Sequence, residues 1–549
     1  MTDRFLKIGS QRRVQVGFLV VFCLFLYFFN LGQWDLWNPD EPRYGQVARE
    51  IVQGGDWILM HNNGKMYTDK PPLFFWFIAF SSYLWQGFSS FSVRFPSALF
   101  GTLTVLLVYF LGRRVYTARS GLLSGLILAT SVEFAYLATR ANIDMTLTFF
   151  TTASLFCFVQ WYPWIERGEE APGDIRRLSI YGFYAGMALA TVTKGPVGFL
   201  LPLLVSLVYL LIQRDWKEMK EMRLLTGMLL FLLLVLAWYI PAVLKGGQTY
   251  LNETLLKHSL NRYSGGWSHV RPFYYFFYNF PVQFLPWFIF LPGAMVHGFS
   301  KEVLKKRKVF LFFLVWFSVI FLFFSISKGK RELYLLPLYP AASLMVGKFL
   351  DDFLSSAASR FSQRWIIRPL YGLMAVLFLS GLAIPLVISM KLSSYLAYSV
   401  PMALLFAGGS LFMFYLSRLK KHEAVLFLLI GMMAAGFFYT LRVVFPLVNP
   451  YKSGRYISEE ITSRIQPGER LGIYGGFGTG PYNFYTGIAP IQEMETKQEL
   501  LQFLKSSERV FCLLKLRDFK VLQSVEEKPS FRFISQRRVG NDEIVLISN

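Results

Sequence analysis

Residues 37–72 read WNPDEPRYGQVAREIVQGGDWILMHNNGKMYTDKPP, and they place acids, bases and aromatic rings between two of the most apolar segments of the chain. Near the start of this stretch, Asp40 is a candidate N-cap of a helix that Gly54 and the glycine after it would end. On that helix Arg43 lies within one turn of Asp40, so a carboxylate and a guanidinium can face the same side. We therefore interpret residues 37–72 as a loop that carries an active site.

A second acid and base, Asp69 and Lys70, close the same stretch just before the chain becomes apolar again. Taken one at a time, these residues have simpler explanations: Asp40 as a helix cap, and Lys70 as a lysine whose amine reaches the membrane surface. The grouping of two acids and two bases in one loop favours a functional role over those explanations.

The composition indicates the class of protein. Of the 549 residues, 54% are hydrophobic, 18% aromatic and only 16% charged, and the mean hydropathy is +0.40. This is too apolar for a soluble multidomain protein, so the sequence predicts a polytopic membrane protein. A net charge of +22 would suggest nucleic acid binding in a soluble chain, but here the basic residues gather in short loops between apolar spans. The expected partners are therefore membrane lipids, anionic ones above all, and not nucleic acid.

The charge of the loops predicts the topology. The first apolar span, residues 14–31, follows four basic residues without a small-residue cleavage site, so we interpret it as a retained signal anchor that places residues 37–72 outside. The next apolar run, 73–87, has about fifteen residues, fewer than the roughly twenty of a spanning helix, and predicts a helix at the outer membrane surface. Alternation of the remaining basic loops gives about thirteen spans, with the C-terminus outside.

From Asn449 onward the composition becomes that of a small α/β domain. Helical periodicity covers residues 453–464 and 496–504, and short apolar runs cover 471–474, 510–514 and 544–547. A glycine-rich run at 475–480 superficially resembles a phosphate-binding loop, but no Lys-Ser/Thr pair follows it, so we interpret it as a turn. The sequence thus predicts a membrane-embedded catalytic domain over 1–448, with an external loop at 32–93, and an extracytoplasmic α/β domain over 449–549.

Basic residues usually lie in the cytoplasmic loops of a membrane protein. Those in the predicted external loops are exceptions to this rule and need another explanation. They lie near span ends on one predicted face of the membrane, where they can converge on an anionic group such as a lipid phosphate. For Lys328 and Arg331 taken alone, reaching the membrane interface explains the charge equally well. These external cations are Arg43, Lys70, Lys194, Arg262, Lys328, Lys330 and Arg331.

Three other residues are candidates for a site. Asp144 begins a predicted span, where it serves either as a second catalytic carboxylate or as a solvent-facing N-cap. His258 and His269 are candidate ligands of a divalent metal, although lone histidines in a wet loop usually bind none.

Several short motifs resemble those of a known family. They are Trp37–Tyr44 (WNPDEPRY), Tyr67–Leu73 (YTDKPPL), Ser92–Ala98 (SVRFPSA), Thr193–Pro196 (TKGP), Ser327–Lys330 (SKGK) and Tyr334–Pro337 (YLLP). In this order they resemble the GT-C membrane glycosyltransferases, and among them the aminoarabinose-transferase branch, which is related to the protein O-mannosyltransferases. Lys70 before two prolines favours that branch, because mannosyltransferases usually show histidine at this position.

The resemblance implies a polytopic α-helical GT-C fold and an inverting glycosyltransferase that needs no nucleotide. A sugar such as the aminopentose 4-amino-4-deoxy-L-arabinose would move from undecaprenyl phosphate to a lipid acceptor, lipid A phosphate, at the periplasmic face of the bacterial inner membrane. No cofactor is implied with certainty, and a divalent metal stays open. Asp40 and Asp144 would be catalytic, and the residues that bind the donor and its phosphate would be Arg43, Tyr44, Lys70, Lys194, Arg262, Lys328, Lys330 and Tyr334.

Two other functions remain open on sequence grounds. An enzyme similar to the protein O-mannosyltransferases would use a serine or threonine hydroxyl as acceptor and would need a true general base. A lipid flippase or transporter would use many spans and basic cavity residues without any chemistry. Against the transporter, the polar residues concentrate in one external loop and the chain shows no pseudo-symmetric halves.

Overall fold

A computed structural model describes residues 12–164, 173–254, 270–355, 357–524 and 530–549. It divides into two compact units. The helical unit comprises Met1–Phe29, Asp69–Leu73 and Ser97–Thr440, and the α/β unit comprises Asn30–Thr68, Phe74–Pro96 and Leu441–Asn549. The boundary expected at residue 449 from composition stays a prediction.

Long apolar helices make up most of the helical unit. The described α-helices are Arg12–Cys23, Ser90–Val115 (which begins in the α/β unit), Ala118–Thr130, Val132–Ala138, Ile143–Trp161, Gly173–Lys194, Val197–Gln213, Trp216–Glu221, Leu224–Asn252, Tyr275–Gln283, Leu291–Gly298, Arg307–Ile326, Tyr339–Leu354, Arg360–Lys391, Leu396–Arg418 and His422–Tyr439. Short 3-10 or π segments cover Leu24–Phe28, Trp287–Phe290, Lys301–Lys306, Glu332–Leu338, Ser393–Tyr395 and Thr440–Val444.

The described residues contain eight helices that are long and apolar enough to cross a membrane, or up to ten if each of two bent helix pairs counts as one span. A polytopic helical protein is thus confirmed, while the expected number of about thirteen spans stays a prediction. The helix expected at 73–87 is present over Leu73–Leu84, and its 12 residues are too few to cross a bilayer unaided.

Close packing of two helices brings two predicted site residues together. The helices Ile143–Trp161 and Gly173–Lys194 approach each other through small residues: a Cβ added at Gly186 would lie 2.9 Å from the Cβ of Ser154. The Ser154 hydroxyl also donates to the Phe183 carbonyl at 2.8 Å. In a bilayer such small-residue contacts are a main source of helix association, because lipid supplies little hydrophobic drive. This contact aligns the first turn of one helix with the last turn of the other.

The α/β unit contains a five-stranded mixed sheet in the order β4-β3-β5-β7-β6. Its strands are β3 Arg470–Tyr474, β4 Gln492–Met494, β5 Val510–Lys515, β6 Arg532–Val539 and β7 Asp542–Ser548, and a separate hairpin pairs β1 His61–Asn62 with β2 Lys65–Met66. Its α-helices are Asp40–Gly54, Leu73–Leu84, Phe445–Lys452, Arg455–Thr462, Gly480–Thr486, Lys497–Leu504 and Leu516–Gln523. The predicted α/β domain is therefore confirmed in kind.

Strand β5 lies at the centre of this sheet and packs on both of its faces. Phe511 and Leu513 belong to one buried cluster, whereas Cys512 and Leu514 belong to a second. Side chains alternate across a strand, so a strand covered on both faces reads as a continuous apolar run. The run expected at 510–514 is this strand. The glycine-rich turn is also confirmed, since Gly475 adopts a left-handed φ of 96° just after β3.

A buried asparagine joins the β1–β2 hairpin to the C-terminal part of the same unit. Asn63 has a φ of 58° and is 2% exposed. Its amide nitrogen donates to the Ile491 carbonyl at 2.9 Å and to Glu493 Oε1 at 2.7 Å, and its oxygen accepts from the Ile491 N–H at 2.6 Å and from Asn483 Nδ2 at 2.9 Å. The loop that precedes the second span thus shares its core with the last hundred residues.

A buried ion pair fixes the start of the Asp40–Gly54 helix. Arg94 donates from Nε to Glu41 Oε1 at 2.7 Å and from Nη2 to Oε2 at 2.9 Å, and the two side chains are 0% and 1% exposed. The remaining N–H groups of Arg94 donate to main-chain carbonyls of the segment before the helix, namely those of Leu31, Trp34 and Asp35. All five guanidinium donors therefore have partners, which is the condition for burying this charge.

We expect Arg94→Met to destabilise the α/β unit by about 3–5 kcal/mol, because the change leaves the Glu41 carboxylate buried without its partner. The matched control is Lys65→Met, which removes an ion pair of similar length, 2.8 Å to Glu493, whose lysine is 68% exposed. That change should cost less than about 1 kcal/mol. Thermal unfolding of both purified variants in detergent measures the difference, and equal melting temperatures would contradict the structural role of Arg94.

Candidate active site

The Asp40–Gly54 helix begins one residue earlier than the capping pattern suggests. Its N-cap is Pro39, which forms no side-chain capping bond, and Asp40 is already in the first helical turn. The expectation that Asp40 caps the helix is therefore wrong. The stop was predicted correctly, because Gly55 adopts a φ of 70° at the C-cap.

The Asp40 carboxylate, which is not used for capping, pairs with the base predicted to face it. Arg43 Nη2 donates to Asp40 Oδ1 at 2.7 Å, and the arginine and aspartate side chains are 30% and 17% exposed. The Arg43 guanidinium also lies 5.6 Å from the ring centroid of Tyr44. The structure thus brings Asp40, Arg43 and Tyr44 together in the α/β unit, with the carboxylate still accessible to solvent.

The second predicted carboxylate, Asp144, lies in the helical unit and is 2% exposed. Asn142 caps this helix by accepting from the Asp144 N–H at 2.8 Å, so Asp144 is not a solvent-facing cap. Instead its carboxylate forms an ion pair with Lys194. The Lys194 amine also lies 4.4 Å from the ring centroid of Tyr334. Three predicted site residues therefore form one cluster.

Lys194 is the last residue of its helix, and the turn that follows sets its position. Gly195 has a φ of 84°, a left-handed conformation that glycine adopts at little cost. Its N–H bonds the Thr191 carbonyl at 2.7 Å. A cation in the last turn of a helix is also favoured by the helix dipole. The Thr-Lys-Gly-Pro sequence thus ends one helix and holds an amine against Asp144.

The loop between the helices Arg307–Ile326 and Tyr339–Leu354 carries two more predicted cations, which lie in different surroundings. Lys328 is exposed. Lys330 is 3% exposed, and its amine donates to the carbonyls of Arg271, at 3.0 Å, and Ser327. Burial lowers the pKa of Lys330 below its ordinary value, because desolvation disfavours the charged form.

Four predicted site residues remain, namely Lys70, Arg262, His258 and His269. Lys70 is half-buried in the helical unit. Arg262, His258 and His269 lie outside the described residues. Within the described ranges, no three His, Cys, Asp or Glu side chains are grouped so as to hold a metal ion.

Sequence reasoning missed the Glu41–Arg94 pair beside Asp40. The sequence does contain an indication of this pair, because Arg94 lies in the apolar run 91–95. A charge in such a segment needs a partner. Its partner lies 53 positions away, and no local pattern identifies which acid it is.

Comparisons with known proteins agree with this fold. Residues 69–240 match the family model described as dolichyl-phosphate-mannose-protein mannosyltransferase. An uncharacterized protein of Aquifex aeolicus (strain VF5) is 32% identical over 456 residues, which are 82% of each chain. An undecaprenyl phosphate-alpha-4-amino-4-deoxy-L-arabinose arabinosyl transferase 2 of Proteus mirabilis (strain HI4320) is 32% identical over 350 residues, which are 62% of this chain and 61% of that protein.

A solved structure matches almost the whole chain. The crystal structure of ArnT from Cupriavidus metallidurans bound to undecaprenyl phosphate superposes with a TM-score of 0.82 over 98% of each chain, at 24% sequence identity. A match of this extent shows that the GT-C fold is shared. The relatives in sequence show that the chain belongs to the aminoarabinose-transferase branch of the GT-C membrane glycosyltransferases, which is related to the protein O-mannosyltransferases.

Proposed function

We propose that this protein transfers 4-amino-4-deoxy-L-arabinose from undecaprenyl phosphate to a phosphate group of lipid A, at the periplasmic face of the bacterial inner membrane. The name of the Proteus mirabilis relative supports the sugar and its carrier. The Cupriavidus metallidurans ArnT was crystallised with undecaprenyl phosphate bound, which supports the same carrier. The acceptor and the membrane face rest on the motifs and on the distribution of charge.

Two adjacent acids, Asp40 and Glu41, differ in burial and pairing, and this difference supports the proposed site. Glu41 is 1% exposed and fully engaged by Arg94, so its carboxylate has a structural role. Asp40, the preceding residue, is 17% exposed and faces Arg43. A carboxylate held in place by a rigid neighbour, yet accessible, is suited to orient an incoming group.

The reaction that fits is a substitution at the anomeric carbon of the sugar. A bond forms between that carbon and an oxygen of the acceptor, while its bond to the phosphate oxygen of the carrier breaks and leaves undecaprenyl phosphate. An acceptor phosphate is already anionic and needs little base catalysis, so Asp40 mainly positions it. A hydroxyl acceptor would instead require Asp40 to accept a proton.

Cations would stabilise the charge that grows on the departing phosphate. Lys70 and Arg43 are assigned this role in the proposal, with Lys328, Tyr334 and Arg262, the last outside the described residues, as further donors to the phosphate. Lys194 would act together with Asp144, because the two form an ion pair. Lys330 would contribute through its loop, since its amine is held by main-chain carbonyls.

We expect Asp40→Asn to lower the rate of transfer by at least about a hundredfold, because the carboxylate that orients the acceptor becomes a neutral amide. The assay uses purified protein in detergent with the undecaprenyl phosphate-linked aminopentose and lipid A, and mass spectrometry detects free undecaprenyl phosphate and modified lipid A. The matched control is Asp518→Asn, which changes a carboxylate that is also paired with an arginine and is 20% exposed.

The outcomes of this assay separate the candidate functions. Release of undecaprenyl phosphate that needs both lipid A and Asp40 supports the proposal. Release with a serine- or threonine-rich peptide, but none with lipid A, would assign the enzyme a protein acceptor. No release with either acceptor, together with movement of the donor across vesicle membranes, would instead identify a transporter.

The Asp144–Lys194 pair gives a second test, in which stability and activity respond differently. Asp144→Asn and Lys194→Met should each destabilise the helical unit, by about 3–5 kcal/mol, since each leaves one buried charge unpaired. The double variant removes both charges and should recover most of this stability while remaining inactive. Melting temperatures and transfer rates of the three variants check this, and an active double variant would remove the pair from the proposed machinery.

A further inference from the structure

An acidic side chain in the helical unit has no direct partner. Glu133 lies half-buried in the first turn of the Val132–Ala138 helix. Within the described part of the chain, no hydrogen bond or ion pair reaches its carboxylate. The charges that act on it come from two acids, Glu332 and Asp144, and from one base, Arg140. A poorly solvated carboxylate beside two like charges is unfavourable unless a counter-charge joins it.

The two neighbouring acids are already engaged. Asp144 forms its ion pair with Lys194. Glu332 accepts a hydrogen bond from the Tyr275 hydroxyl at 3.3 Å. Of these three acids, Glu133 is therefore the one that can form a new ion pair with a bound cation.

A buried tyrosine provides an independent indication of a ligand. Tyr339 is 0% exposed, and its hydroxyl has no hydrogen-bond partner among the described residues. The Val132 N–H, one residue before Glu133, donates to the Leu285 carbonyl at 3.1 Å. Phe284, the residue before Leu285, packs against the Tyr339 ring, so Glu133 and Tyr339 lie in the same region of the helical unit. The Tyr339 ring is held edge-on by Phe280 and Phe284, with centroids 5.6 and 5.3 Å away. A buried hydroxyl fixed in this way needs a polar partner.

The Glu133 carboxylate and the Tyr339 hydroxyl together favour an ammonium ion as the bound ligand. A primary ammonium offers three donors and no acceptor, so it can donate to the Glu133 carboxylate and to the oxygen of Tyr339 at once. A divalent metal fits less well, because no three acidic, histidine or cysteine side chains of the described residues are grouped to hold one.

We propose that Glu133 and Tyr339, with Glu332 beside them, form the subsite that receives the protonated amino group of the donor sugar. This inference rests on the proposed function, in which the donor carries an aminopentose. The subsite makes the enzyme selective for a charged amine over the same sugar with an acylated nitrogen. Acylation removes the positive charge and two of the three N–H donors, so Glu133 would lose its charge-assisted hydrogen bond to the sugar.

Selectivity between two donors tests the subsite. Undecaprenyl phosphate carrying 4-amino-4-deoxy-L-arabinose is compared with the same lipid whose amine is acetylated, and KM and kcat are measured for each by release of undecaprenyl phosphate. For the wild type we expect kcat/KM to favour the amine at least about tenfold, the value of a charge-assisted hydrogen bond. Glu133→Gln should reduce this preference about tenfold, mainly through a higher KM for the amine.

Three further variants make the result specific. Tyr339→Phe removes only the hydroxyl and should reduce the preference by a smaller factor, and Glu133→Asp should retain part of it because the charge remains. The matched control is Glu423→Gln, another half-buried glutamate in the first turn of a helix of the same unit, which should leave the preference unchanged. If Glu133→Gln does not fold, the Tyr339→Phe comparison decides.

The assay distinguishes a wrong subsite from a wrong overall reaction. A wild type that uses both donors equally, or variants at Glu133 and Tyr339 that keep the wild-type preference, overturns the subsite while leaving the transferase intact. A wild type that releases undecaprenyl phosphate from neither donor overturns the proposed function and the subsite with it. A uniform loss of kcat for both donors in Glu133→Gln and Tyr339→Phe also overturns the subsite, since it indicates a structural role only.

Discussion

The contact between Glu41 and Arg94 is the constraint on which the α/β unit depends. Arg94 places all five of its N–H groups on one carboxylate and three main-chain carbonyls, and its guanidinium stacks 3.4 Å from the ring centroid of Trp34. A planar, always charged donor with a fixed fork can satisfy that many acceptors at once, which a lysine could not. The segment before the Asp40–Gly54 helix is therefore held to the helix that carries Arg94, and the position of Asp40 follows from it.

The low dielectric of a membrane protein explains why so few charges occur inside the helical unit and why those present are informative. Its buried side chains are mostly hydrophobic, and small residues such as Gly186 allow helices to approach closely. Against that background, a carboxylate at Asp144 is retained only with a cation beside it. Lys194 supplies that cation from the end of a neighbouring helix. The packing of the two helices places the charges together, and the ion pair in turn stabilises that packing.

Local features of the sequence predicted a large part of the fold, whereas contacts distant in sequence could not be predicted. The Asp40–Gly54 helix, its glycine stop and strand β5 follow from periodicity and turn residues within a short window. The Asp40–Arg43 pair follows from helical spacing. By contrast, the place of Asn63 in the C-terminal core and the pairing of Glu41 with Arg94 join residues hundreds or tens of positions apart. One local rule also failed, because Pro39 occupies the N-cap and moves Asp40 into the helix.

Four acids, Asp40, Glu41, Glu133 and Asp144, differ chiefly in how far each charge is already neutralised. Glu41 is saturated by Arg94, and Asp144 is held by Lys194, so neither has much remaining capacity for a new charged group. Asp40 is paired with Arg43 yet accessible, as the proposed contact with an acceptor during each turnover requires. Glu133 has no direct partner within the described residues, and recognition of a cation requires this condition, because an acid already paired gains little from binding another positive group. Burial and pairing, and not residue type, thus distinguish these four acids from one another.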